Sequence, residues 1–103
     1  MIQISSEAGR SVARLEGEFT IYQAAESKPP LMAAIADSEE LEINLAGVTE
    51  IDSAGLQLLL LAKREALRTG KSVRLVAHSE ATLAVIDLLG LAGYFGDPLV
   101  LRA

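Results

Sequence analysis

The stretch Leu41-Glu42-Ile43-Asn44-Leu45-Ala46-Gly47-Val48-Thr49-Glu50-Ile51-Asp52-Ser53-Ala54-Gly55-Leu56 decides the fold. Its first five residues alternate apolar and polar with a period of two, the mark of a strand with one buried face. Ala46-Gly47 breaks the alternation, so residues 48–52 read as a structured loop. Asp52-Ser53-Ala54-Gly55 then opens a helix expected over 54–68, with Gly70 placed where a left-handed residue ends a helix. Working downstream, 73–77 reads as a strand, Ser79 is placed to cap a helix over 80–89 with Gly90 as its stop, and 99–101 fits a last short strand. Upstream, 1–4 and 11–16 suit a hairpin around the turn at 7–10. Thr20 can cap a helix over 21–26, which Lys28-Pro29-Pro30 is expected to end, and Pro30 suits the first turn of a second helix over 31–36. Strands alternating with helices of this length need parallel crossovers, so the fold class expected is α/β with helices packed on a sheet.

At 103 residues, 50% hydrophobic and 22% charged, the chain has the size and composition of one globular domain, 1–103. The absence of cysteine excludes a disulfide framework, a thiolate metal site and a cysteine nucleophile. His78 is the single histidine, and no Gly-rich phosphate loop, HExxH pattern or carboxylate-rich calcium loop is present, so neither a metal site nor a cofactor is expected. Ser53 has no evident base, and His78 reads as an ordinary polar loop residue. An enzyme is therefore not expected. No apolar run reaches bilayer-spanning length and the start lacks a signal-peptide layout, from which a cytoplasmic protein with no membrane insertion is expected. A net charge of -5 argues against a nucleic-acid partner. The charge is unevenly placed: residues 1–52 sum to -7, while 53–103 sum to +2, five of their six bases being Lys63, Arg64, Arg68, Lys71 and Arg74, so one surface is expected to be locally positive. Glu39, Glu40 and Glu42 read as a solvated acidic face.

Wound at about 100° per residue, helix 54–68 places Gly55, Leu56, Leu59, Ala62, Ala66 and Leu67 on one face, expected against the sheet. Gln57, Arg64, Glu65 and Arg68 fall opposite, with Leu61 among them and Ala54 and Leu58 close beside. Two readings stay open: isolated exposed leucines, which need no explanation, or a docking surface, apolar at Leu58 and Leu61 and rimmed by Arg64 and Arg68. Ser53 also has two readings. A serine just before a helix is first an N-cap. The same place, with orphan N–H groups and the positive end of the helix dipole, suits a phosphoryl group, although Asp52 beside it would repel one.

The segment 42–56, followed by a leucine-rich helix, Gly70, a strand and Leu88-Leu89-Gly90-Leu91, resembles the STAS domain of bacterial anti-sigma factor antagonists. The resemblance covers essentially the whole chain and is specific from about residue 41 to 95. It implies a small mixed sheet of four to five strands with helices packed mainly on one side. Asp52, Ser53 and Gly55 match the family's D-S-x-G motif, with Ala54 where serine is common. The implied function is a protein-binding regulatory module. In it Ser53 is phosphorylated by a partner anti-sigma factor kinase and reset by a phosphatase, and Asp52, Ala54, Gln57, Leu58, Leu61, Arg64 and Arg68 form the partner surface. The resemblance extends to STAS proteins that accompany chemotaxis kinases and to the docking subunit of a phospholipid-transport ATPase. In that second class Ser53 is only a cap or a contact. A nucleotide-binding role, suggested for some STAS-like domains, finds no Gly-rich loop here.

Overall fold

The computed structural model describes residues 2–88 and Gly90. Along the chain run β1 (Ile2–Glu7), β2 (Arg10–Phe19), α1 (Ile21–Asp37), β3 (Glu40–Ile51), α2 (Ser53–Arg68), β4 (Ser72–Val76) and α3 (Glu80–Leu88). The strands lie in the order β1-β2-β3-β4. β1 is antiparallel to β2, as the expected hairpin requires, and β2/β3 and β3/β4 are parallel. Two successive parallel steps in one direction, each right-handed, put α1 and α2 on the same face of the sheet.

That face carries the core. Ala13, Ile43 and Leu75 stand side by side across three strands, and Leu41 is beside Val73; all are buried, together with Leu15, Leu45, Leu31, Ile35, Leu59 and Ala62. The opposite face is polar. There Arg10 pairs with Glu40 and Arg74 with Glu42, each at 2.9 Å between neighbouring strands, with most of these side chains open to water. Such exposed pairs contribute little to stability, and they put Glu40 and Glu42 of the expected acidic face on the solvated side of the sheet.

Four expectations need correction. β3 continues to Ile51, through residues 48–51 that read as a loop in the sequence. The register against β2 passes from Arg14↔Asn44 to Glu16↔Gly47, then from Gly17↔Val48 to Glu18↔Glu50, so β3 holds two extra residues. Each bulge turns the alternation by one position: the buried residues run Leu41, Ile43, Leu45, then Val48, then Ile51. A period-two reading sees this as the end of a strand. Gly47 sits at the first bulge because a Cβ there would lie 3.1 Å from the Leu15 carbonyl oxygen and 2.9 Å from Glu16 Cγ.

Second, Pro29 and Pro30 lie inside one continuous α1. Each removes a hydrogen bond to the carbonyl four residues earlier; those carbonyls belong to Ala25 and Glu26, both exposed residues, as Pro29 is, so water can serve them. Third, Leu67 is 84% exposed, not packed on the sheet. It sits roughly 100° from the centre of the buried arc of α2, just beyond the rim of the stripe that core contacts reach. Ser79 caps α3 as expected, its Oγ accepting from the Thr82 N–H at 3.2 Å. Fourth, His78, read as a polar loop residue, is fully buried after β4. The expected strand at 99–101 and the last residue of helix 80–89 lie outside the described residues.

Candidate functional site

The helices α1 and α2 begin next to each other, and one side chain joins them. Asp52, in extended conformation, is the N-cap of α2. Its Oδ1 accepts from the Gly55 N–H at 3.0 Å and its Oδ2 from the Ile21 N–H, in the first turn of α1, at 3.1 Å. Next to it, the Gln23 side-chain carbonyl accepts from the Thr20 N–H at 3.1 Å and from Thr20 Oγ1 at 2.6 Å, securing the start of α1. α2 reaches this position because Gly55 lets it approach the end of β2: a Cβ at residue 55 would meet the Phe19 carbonyl oxygen at 2.1 Å.

Ser53 is therefore not the cap it was expected to be. It is the first helical residue and is exposed. The sequence reading misplaced the cap by one residue because Asp and Ser are almost equally good N-caps. The expected consequence divides the two positions: Asp52→Ala lowers stability by about 1–2 kcal/mol, whereas Ser53→Ala changes it by less than about 0.5 kcal/mol. Urea unfolding of the two variants checks both.

The expected docking residues scatter. Gln57, Arg64 and Arg68 are exposed, Ala54 and Leu61 are half-buried, and Leu58 is 5% exposed. Leu58 is thus a packing residue, not an outward one. The wheel considered the sheet as the only cover, whereas α1 lies along the flank of α2 that carries Ala54 and Leu58. Between the two helices runs a groove of ≈ 380 Å³ whose lining includes Leu58 and Leu61, with Ile21, Ala25 and Lys28 contributed by α1 and Gln57 and Arg64 by α2. Ile21, in that lining, is 59% exposed, and the residue after it, Tyr22, is 76% exposed. Those two residues escaped the sequence reading. A wheel over 21–37 as one helix singles out Tyr22, which falls about 180° from buried Leu31, but the prolines split the helix in the sequence reading.

The positive surface also has internal partners. Lys63 Nζ donates to the Val73 carbonyl at 2.6 Å, and Lys71 Nζ donates to the Ala36 carbonyl. Arg68 pairs with Glu65 at 2.6 Å, and that hydrogen bond holds the Glu65 carboxyl below the usual carboxylate range. Lys28 and Arg64 are the cations along the groove. The site is thus an apolar tip and groove with a basic rim, an arrangement for binding.

Comparison with known proteins places this geometry. Residues 2–101 match the family model described as Mlab, STAS domain. The intermembrane phospholipid transport system binding protein MlaB of Haemophilus influenzae is 36% identical over 67 residues; the match spans 65% of this chain and 64% of that protein's length. Among solved structures, an anti-sigma factor antagonist from Mycobacterium paratuberculosis superposes with a TM-score of 0.82 at 28% identity, over 97% of this chain and 86% of that one. The unphosphorylated anti-sigma factor antagonist SpoIIAA, from Bacillus, superposes with a TM-score of 0.79 at 22% identity, over 96% and 89%. The four-stranded mixed sheet, the D-S-x-G motif at the start of α2 and the match along nearly the whole chain have one reading: the chain belongs to the STAS family, in the group whose model is described as Mlab.

Proposed function

We propose that this chain is a protein-docking subunit of an intermembrane phospholipid transport system, binding the system's ATP-hydrolysing subunit through the tip of α1 and the exposed side of α2. The observation that carries the reading is the pair of exposed apolar residues Ile21 and Tyr22 at the start of α1, where Ile21 lines the groove and its N–H meets Asp52, on a chain 36% identical over 67 residues to a MlaB protein. In this reading the domain works in the cytoplasm, takes no cofactor and catalyses nothing. This reverses the order of preference suggested by the motif alone, which set the kinase-regulated antagonist first. Among the described residues no helix is long and apolar enough to cross a membrane, in keeping with attachment through a partner.

Co-expression with the transport ATPase subunit of its own organism, followed by size exclusion with and without ATP, tests the proposal. A complex that co-elutes in both conditions is expected. Failure to co-elute in either overturns it.

Ser53 supports a second reading. Exposed and outside the cap, it can accept a phosphoryl group without first giving up a structural hydrogen bond, as a domain switched by an anti-sigma kinase and reset by a phosphatase requires. Mass spectrometry of the protein from its native cells distinguishes the readings. Phosphate on Ser53 is expected for the switch, and a Ser53 that carries none is expected for the permanent subunit.

A further inference from the structure

A helix start leaves unsatisfied N–H groups and carries about half an elementary positive charge. Two such starts side by side repel each other unless a negative group lies between them. Here a single carboxylate lies between them. One oxygen of Asp52 accepts from Gly55 of α2 and the other from Ile21 of α1, residues 31 apart in sequence. The amide held on the α1 side belongs to Ile21 itself, and the next residue is Tyr22, so the bond fixes the backbone that presents the exposed tip. On the α2 side the residue next to Asp52 is Ser53, and Gln57 follows one turn later.

We infer that Asp52 is a positioning residue of the docking surface: it locks the first turns of α1 and α2 into one unit, and it is the group through which a negative charge at position 53 reaches Ile21 and Tyr22. A carboxylate or phosphoryl group on residue 53 lies beside Asp52, repels it and competes for the same amides. The α1 tip then loses its tie although no residue of α1 has changed. The inference rests on the docking reading for its purpose, and on the two hydrogen bonds for its content.

Amide NMR of the full chain tests it. In Asp52→Asn only one side-chain oxygen remains, and the NH2 group cannot accept, so either Ile21 or Gly55 is left without an acceptor and its amide exchanges about tenfold faster, as loss of a charge-assisted hydrogen bond allows. In Ser53→Asp the amide resonances of Ile21 and Tyr22 move together with those of 54–57, while Ser53→Ala leaves Ile21 and Tyr22 in place. A cap with a purely local role does not produce that response to charge. The inference is overturned if Ser53→Asp disturbs only 52–57, or if Ile21 and Gly55 both exchange in Asp52→Asn as in the parent protein. Should Asp52→Asn fail to fold, the Ser53 pair decides alone. No partner is present in these measurements, so failure of the linkage leaves the docking proposal standing, and failure to bind the ATPase subunit leaves the linkage untouched.

Discussion

Gly55→Ala is expected to lower the stability of this domain by about 3 kcal/mol or more, beyond the usual 1–3 kcal/mol of an overpacked core. The reason is the identity of the obstacle. The added methyl carbon would lie 2.1 Å from the Phe19 carbonyl oxygen, 2.8 Å from Phe19 Cδ2 and 3.0 Å from Ile51 Cγ1. A side chain could turn aside, but the Phe19 oxygen belongs to the end of β2, and moving it means moving the strand or lifting the first turn of α2. Lifting the turn would break the Asp52 cap as well. For a domain of this size such a loss corresponds to a fall of roughly 12–24 °C in Tm. A thermal melt followed by circular dichroism checks it, and a fall of less than about 5 °C would mean that the helix and strand are less closely apposed than described.

The second large effect is expected in binding, without loss of stability. Tyr22 is 76% exposed and follows Ile21, which lines the groove between α1 and α2. Burying an aromatic ring at the centre of an interface gives the kind of contact whose truncation costs about 2 kcal/mol or more, or roughly 30-fold in affinity. Tyr22→Ala should therefore weaken the complex with the transport ATPase subunit about 30-fold while leaving unfolding within about 0.5 kcal/mol of the parent. Titration calorimetry beside urea unfolding separates the two quantities. Unchanged affinity would remove the α1 tip from the docking surface and confine contact to α2.

Much of the fold was legible because local and global preferences agree. The alternation at 41–45, the leucine stripe over 54–68, Gly70 and the Ser79 cap each name an element that the structure contains. What stayed hidden depended on neighbours. The bulges in β3 read as a strand end since alternation has no memory across an extra residue. Pro29-Pro30 read as a stop because propensity takes no account of which side of a helix faces water. The site suffered more than the fold for the same reason. Ser53 was correctly placed at a helix start, but whether it or Asp52 caps depends on a hydrogen bond to Gly55. Leu58 was assigned outward because nothing in a single helix announces that another will lie beside it, and Ile21 and Tyr22 were lost with the continuity of α1.

The two bulges let β3 carry spare length without turning its inward face. From Ala13 to Phe19 β2 advances six residues while β3 advances eight, from Ile43 to Ile51, yet Ile43, Val48 and Ile51 stay beside Ala13, Gly17 and Phe19. A residue held in a bulge is unpaired, so it can be lost together with the bulge and leave the rest of the pairing as it was. The place of Asp52 beside Ile21 is therefore set by the pairing of Ile51 with Phe19 and not by the number of residues that lead up to it.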